Sequence, residues 1–410
     1  MSESSTSTTT DRSAGLVRFL GLRKSMIAML TMAILVGMGE RMAERFLPIY
    51  LLALGGGTMS VGILNGLQNL LSALYSFPGG YLSDKLGYKR ALLVFNCIAL
   101  FGYGIVIVFA NWGAVLVGAV FFLAWSAVSL PATMSLVSQV LPTNKRTMGV
   151  SLHSLVRRVP MSLGPLAGGA LIAAFGEVTG VRLAFVGAAV LGLVSIVVQQ
   201  KLIEDHRNDT VAEKNPLQLW KFMDRSLKNL LVPDILVRFC EQIPYAFVVI
   251  WCMKNHQMTA MQFGVLTAIE MVTSMLVYIP VAYLADKSHK KPFVAVTFFN
   301  FALFPLILLF STSFPLLVVA FVVRGLKEFG EPTRKALIMD LAPENMKAGM
   351  FGLYYLLRDV IVSVAAFGGV FLWNMSPKVN FLTAFAFGIA SVVYFIIFGR
   401  DSRTSRQSTA

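Results

Sequence analysis

Apolar residues in this chain fall in long unbroken blocks, among them Ala91–Ala110, Val115–Leu123, Leu183–Val198, Phe293–Phe310 and Leu382–Phe398. A large soluble core would show shorter runs broken at amphipathic spacing. A helix that crosses the hydrocarbon of a bilayer needs about 20 apolar residues. The pattern predicts an all-α membrane protein of about twelve spans, over 26–53, 60–82, 91–110, 114–140, 150–174, 182–201, 233–253, 260–284, 292–310, 315–340, 349–372 and 380–398. The connections are short except for 202–232, which divides the chain near its middle.

This gives five expected units. Residues 1–22 form a polar, disordered cytoplasmic tail, without the charged-then-apolar pattern of a cleaved signal. Residues 23–201 form one six-helix bundle and 233–399 a second, with a cytoplasmic linker over 202–232 and a short tail over 400–410. In the linker, Leu217, Trp220, Met223, Leu227, Leu230 and Leu231 share one helical face, flanked by Lys221, Arg225 and Lys228. That spacing predicts an amphipathic helix lying on the inner headgroup surface.

Composition agrees. Of 410 residues, 56% are hydrophobic and 14% charged, too few charges to cover a soluble protein of this size. The formal net charge of +14 raises the question of nucleic acid. However, the basic residues crowd into alternate loops, while the opposite loops carry only Arg182, Lys254 and Lys378. This is the positive-inside pattern, and it predicts cytoplasmic termini and no nucleic-acid partner. Cys97, Cys240 and Cys252 show neither metal-ligand nor disulfide spacing.

The two halves repeat. At a shift of about 201 residues, Pro131 meets Pro332, Pro142 meets Pro343, Leu155 meets Leu356 and Arg157 meets Arg358. One residue further on, the segment from Pro78 to Lys85 matches that from Pro280 to Lys287. Parallel six-helix repeats imply a pseudo-twofold axis along the membrane normal and a site between the halves near the midplane.

The segment Gly80-Tyr-Leu-Ser-Asp84-Lys85-Leu-Gly-Tyr-Lys-Arg90 resembles the 2–3 loop signature of the major facilitator superfamily, and Tyr283–Lys291 resembles its weaker second copy. The resemblance covers essentially the whole chain. It implies the fold of that superfamily and alternating access, with Gly80, Asp84, Lys85, Arg90, Arg157, Asp286, Lys287 and Arg358 as gating residues. Asp84 is expected to meet Arg358, and Asp286 to meet Arg157. Gly164-Pro-Leu-Ala-Gly-Gly169 is similar to part of a motif of the family's proton-driven exporters; close packing of small residues explains the same run. The helix 4 arginine usual in such exporters is replaced by Leu123.

Ionisable groups within the spans are costly and mark function or pairing. Glu40, Arg41, Glu44 and Arg45 lie in the first span; Asp234, Arg238 and Glu241 in the seventh; Glu270 in the eighth. Carboxylates crowded on one inner face repel, and a shared proton relieves this. Glu40, Glu44, Glu241 and Glu270 are therefore candidate proton-coupling groups; an ion-pair network with Arg41, Arg45 and Arg238 is the other reading. The tenth span carries Arg324, Lys327, Glu328, Glu331, Arg334 and Lys335, spaced as i,i+4 pairs. Candidate substrate-binding residues are Arg41, Gln68, Asn69, Trp125, Tyr245, Arg324, Lys327, Glu328 and Tyr354.

No phosphate loop, H-E-x-x-H or G-x-S-x-G occurs, which argues against an ATP-driven pump and an enzyme. The sequence therefore predicts a secondary transporter of a small organic solute, proton-coupled and running outward. An importer or uniporter of an organic anion or zwitterion, and a lipid or lysolipid transporter, remain open. The expected partners are a small-molecule or lipid-like substrate, protons and membrane lipids. The chain is expected to be monomeric, without cofactor, in a bacterial inner membrane.

Overall fold

In a computed structural model of the chain, residues 24–86, 88–123, 156–202, 220–287, 289–342 and 347–400 are described. Among them there is no strand. The first half contains α1 (Lys24–Glu44), α2 (Leu47–Ala53), α3 (Gly57–Leu86), α4 (Tyr88–Val108), α5 (Trp112–Phe122), α6 (Arg158–Phe175) and α7 (Glu177–Leu202). The second contains α8 (Arg225–Gln242), α9 (Phe247–Ile250) with a π-helical turn at Trp251–Asn255, α10 (Ala260–Lys287), α11 (Lys290–Phe310), α12 (Phe314–Leu326), α13 (Glu331–Leu341), α14 (Lys347–Met375) and α15 (Pro377–Phe398). Eight helices among the described residues are long and apolar enough to cross a membrane. The internal repeat is visible in the element lengths: α3 and α10 run 30 and 28 residues, α4 and α11 both 21.

The connections are tight. Gly176 alone joins α6 to α7 at φ +80°, a conformation in which a side chain would clash with its own backbone. Asn111 opens α5 by accepting a hydrogen bond from the Ala114 N–H at 2.8 Å.

Two expectations change. Over Arg225–Leu231 the linker helix is not a separate surface element but the first turns of α8, and Met223, Leu227, Leu230 and Leu231 are buried with Val237, Phe298 and Leu337. Their apolar face matches a protein core as well as it matches a headgroup layer, so periodicity alone could not separate the two. The spans expected at 26–53, 233–253 and 315–340 are each broken, into α1 and α2, into α8 and α9, and into α12 and α13.

The halves meet along two helix pairs, α6 with α10 and α3 with α14. Small residues make both contacts. A Cβ on Gly62 would come 2.5 Å from Val370 Cβ, and one on Gly66 would overlap the Phe367 ring. The Gly164–Gly169 motif works in the same way. Gly164 and Gly168, four apart, face α1: a Cβ on Gly164 would lie 2.5 Å from Arg41 Cβ, and one on Gly168 would overlap the Met42 carbonyl oxygen. Gly169 faces α10, where a Cβ would sit 2.6 Å from the Ala260 carbonyl oxygen. In place of a soluble-type hydrophobic drive, close backbone approach supplies dispersion contact between membrane helices.

At the end expected to face outward, an apolar plug joins the halves. Phe46 packs edge-on to Phe263 at 5.8 Å, and Phe263 to Phe321 at 6.0 Å. Around its rim, the Thr58 hydroxyl donates to Asn374 Oδ1 at 2.7 Å and Lys254 pairs with Glu177 at 2.7 Å.

Candidate functional site: a charged cavity at three helix breaks

Three helices are interrupted beside one interior cavity region. The breaks fall at Arg45–Phe46, at Ile243–Ala246 and at Lys327–Gly330. A proline accompanies each: Pro48 and Pro332 in the first turn of the following helix, and Pro244 within the break. Proline removes a backbone donor and crowds the preceding turn, and an interrupted helix leaves backbone carbonyl and N–H groups that must find partners in the membrane. They find them in neighbouring helices. Asn65 Nδ2 donates to the Gln242 carbonyl at 3.0 Å, across the two halves. Asn300 Nδ2 donates to the Leu326 carbonyl at 3.1 Å. Thr297 Oγ1 accepts from the Gly330 N–H at 2.5 Å.

The breaks bring Arg45, Tyr245, Lys327 and Glu328 to the interior. A cavity with about 450 Å³ of empty volume lies beside them, lined by Glu44, Arg45, Asn65, Gln68, Tyr245 and Arg324 together with the apolar Leu47, Leu64, Val248 and Phe263. A smaller hollow of about 290 Å³ adjoins it at Glu241, Arg324 and Lys327.

Most of the charges here are paired. Glu44 accepts from Arg41 Nη1 at 2.5 Å and from Gln68 Nε2 at 2.8 Å. Glu241 accepts from Arg238 Nη1 at 2.5 Å and from Lys327 Nζ at 2.8 Å. Asn69 donates to Gln242 Oε1 at 3.1 Å, again between halves. Glu270 is fully buried; its Oε1 lies 3.3 Å from both Arg324 Nε and Lys327 Nζ, yet neither oxygen accepts an aligned hydrogen bond. Glu40 is buried on α1. Arg45 stacks over the Tyr245 ring at 5.4 Å and Arg324 over the same ring at 5.8 Å, so one aromatic ring is shared by a guanidinium from each half.

The expected i,i+4 ladder along the tenth span is replaced. Because the helix breaks at Lys327–Gly330, Arg324 and Lys327 turn to Glu270 and Glu241, and Glu328 pairs with Arg158 of the first half at 2.9 Å. Only past the break does the spacing hold, with Lys335 at 3.6 Å from Glu331. Tyr354 has other partners than the cavity. It belongs to a buried cluster in which Asp234 receives Arg334, the Tyr354 hydroxyl at 2.9 Å and, at 3.6 Å, Arg358 Nη1. Arg334 also grips Glu331 with two bonds, at 3.0 and 2.6 Å. This cluster ties α8, α13 and α14 together within one half.

Of the expected gating residues, Arg358 is buried and pairs with Asp234 and Asp359. Arg157 is half-buried at the start of α6, and Arg90 is exposed on α4. Trp125, and the side chains at Gly80, Asp84, Lys85, Asp286 and Lys287, lie outside the described residues. So do the two cross-half contacts expected of Asp84 and Asp286. Sequence reading overlooked Asn65 and Arg45 as cavity residues; the proline at each break was the available signal.

A buried, charged hollow between two like half-bundles suits a carrier. The family model described as Major Facilitator Superfamily matches residues 29–232 and 234–410. The chain belongs to the Major Facilitator Superfamily. It is thus a member of a family of transporters, not of enzymes. An MFS-type transporter of Methanocaldococcus jannaschii is 21% identical over 372 residues, covering 86% of this chain and 89% of the relative. The quinolone resistance protein NorA of Staphylococcus aureus is 26% identical over 206 residues, 49% of this chain and 51% of NorA. Among solved structures, that of the nucleoside transporter NupG superposes with a TM-score of 0.78 at 12% identity, covering 92% of this chain and all of that one. The likeness to NupG is one of fold. As a superfamily member, the chain is an integral multi-pass membrane protein.

Proposed function

We propose that this superfamily member is a proton-coupled carrier that moves a small organic solute by alternating access, in the export direction. The observation that carries the coupling is Glu270. It is fully buried and touched by two cations at 3.3 Å, but has no aligned hydrogen bond at either oxygen. A carboxylate in that position can exchange its hold on Arg324 and Lys327 for a proton, and the released cations then change the field in the adjoining cavity. Protonation and solute occupancy are linked through those shared groups. Arg324 lines the cavity and touches Tyr245, so the link to the solute is direct. Export is supported by the similarity to NorA, named for quinolone resistance, over half of each chain. In this reading twelve spans place both termini in the cytoplasm of a bacterial inner membrane, and one chain works alone.

The test uses proteoliposomes holding an imposed pH gradient, offered a panel of organic anions, zwitterions and cations. The native protein concentrates at least one solute against its gradient. Glu270→Gln loses that concentration while keeping solute exchange. Undiminished accumulation by the variant refutes the assignment.

A further inference from the structure

One charge in the cavity has no salt-bridge partner among the described residues, although Glu270, Glu44 and Glu241 act on it from further away. Of the three charged residues on its wall, Glu44 is held by Arg41 and Gln68, and Arg324 by Glu270. Arg45 has no carboxylate within salt-bridge distance among the described residues; its contact is the face of Tyr245. A guanidinium taken from water into a membrane interior without an anion is costly. A ring face offsets only a small part of that cost. Arg45 also sits on the break between α1 and α2. The chain therefore interrupts a helix at the point where it presents this cation to the cavity.

The rest of the wall says what belongs there. Leu47, Leu64, Val248 and Phe263 supply the apolar part of the lining, and Asn65 and Gln68 already donate amide N–H groups to Gln242 and Glu44. We infer that the solute is an amphipathic organic monoanion whose oxyanion head docks on Arg45 while its apolar body lies against Leu47, Leu64 and Phe263. The planar fork of arginine binds carboxylate and phosphate heads alike, with two parallel hydrogen bonds. The Tyr245 ring lies within 6 Å of both guanidinium groups, 5.4 Å from Arg45 and 5.8 Å from Arg324. Arg45 is thus the residue that sets charge preference, and Glu270 the residue that couples. This inference names the substrate class of the carrier proposed above and rests on that reading for the site's purpose.

The test is equilibrium binding at one fixed pH, without any gradient, to the full chain in phosphatidylcholine nanodiscs. The probes are aryl-acetates and alkyl-carboxylates, each with its matched amide and amine, and a monoacyl lysophosphatidate. For at least one carboxylate, native protein binds about tenfold or more tighter than the matched amide or amine, the effect of one charged hydrogen-bonded contact. Arg45→Gln levels the three, with its unliganded unfolding temperature measured alongside, and Arg45→Lys keeps part of the preference. Should Arg45→Gln fail to fold, the native panel together with Arg45→Lys decides. Equal binding of carboxylate, amide and amine by native protein overturns the inference, as does a preference that survives Arg45→Gln. Arg45-dependent binding of the lysophosphatidate with no carboxylate preference overturns the free-solute assignment. The two readings fail separately. A lost pH-gradient response with an intact carboxylate preference removes only the proton coupling. A coupled carrier without that preference removes only this inference.

Discussion

Arg158 of the first half and Glu328 of the second face each other across the interior, Nη2 to Oε2 at 2.9 Å, with the same guanidinium 4.8 Å from the Tyr278 ring. Glu328 reaches this partner because its helix breaks at Lys327–Gly330. A double-mutant cycle with Arg158→Gln and Glu328→Gln should give a coupling of about 1 kcal/mol in unfolding, at the upper end for partly exposed pairs. Thermal unfolding of the four proteins measures it. A coupling of zero means that the pair is incidental.

The glycine motif gives a paired test. Gly168→Ala drives a methyl into the Met42 carbonyl, and Gly164→Ala drives one against the backbone of Arg41. Each should lower stability by roughly 1–3 kcal/mol, the usual range for overpacking. Gly104 and Gly352 have nothing within 4 Å of a built Cβ, so Ala there should be neutral or stabilising by up to about 1 kcal/mol. Unfolding temperatures that rank the four the other way would refute the packing assignment.

Asp234 is the hub of the buried cluster, with Arg334, Tyr354 and Arg358 around it. Asp234→Asn removes the buried carboxylate shared by Arg334, Tyr354 and Arg358, leaving the two cations only Glu331 and the part-exposed Asp359, and should cost about 3 kcal/mol. Asp340→Asn breaks the more exposed pair with Lys290 (2.5 Å) and should cost under about 1 kcal/mol. Denaturant or thermal unfolding in the same detergent separates them.

Asp224 caps α8, accepting the Ser226 N–H at 3.3 Å. Burial works against its charge, but hydrogen bonds from the Arg225 and Ser226 backbone N–H groups outweigh it and hold the carboxyl below its usual range. A depressed carboxylate contributes stability above its unfolded pKa and loses it as pH falls through the folded value. The unfolding-temperature gap between native protein and Asp224→Ala should therefore be full at neutral pH, about 0.5–2 kcal/mol in cap energy, and shrink on acidification below pH of about 4. A gap that widens on acidification would show that the cap acts otherwise.

Closure at the expected outer end can be trapped. Thr58 and Asn374 meet across the halves at 2.7 Å. In a Cys97→Ser background, Thr58→Cys with Asn374→Cys should accept a short bifunctional thiol reagent, and the linked protein should stop transporting until the link is cleaved. Full transport by the linked protein would mean that the two ends need not part.

Much of this architecture is legible in the sequence, because bilayer thickness sets the length of apolar runs and the repeat sets their order. The intramembrane charges are equally plain. Their partners are not: Asp234 and Arg334 stand 100 positions apart, and nothing local to either names the other. Breaks are legible only in part. Pro48, Pro244 and Pro332 accompany interruptions, but Pro165, Pro233, Pro280 and Pro305 sit within continuous helices. Whether a proline interrupts depends on donors from neighbouring helices, such as Asn65 and Asn300, and on cations that gain by turning inward.

The groove on α3 has one more consequence. Gly62 and Gly66 receive Val370 and Phe367 in a contact that contains no charge. Dissolved salt cannot screen it, whereas the Lys254–Glu177 pair on the rim, exposed at Lys254 and half-buried at Glu177, weakens as the Debye length shrinks. In the proposed carrier the halves would turn on an axle that contains no charge and be fastened at the rim by a clasp that feels ionic strength. In the alternating-access carrier proposed above, concentrated salt at the expected outer face should loosen the clasp and leave the axle seated, so the medium itself should bias which way the carrier faces.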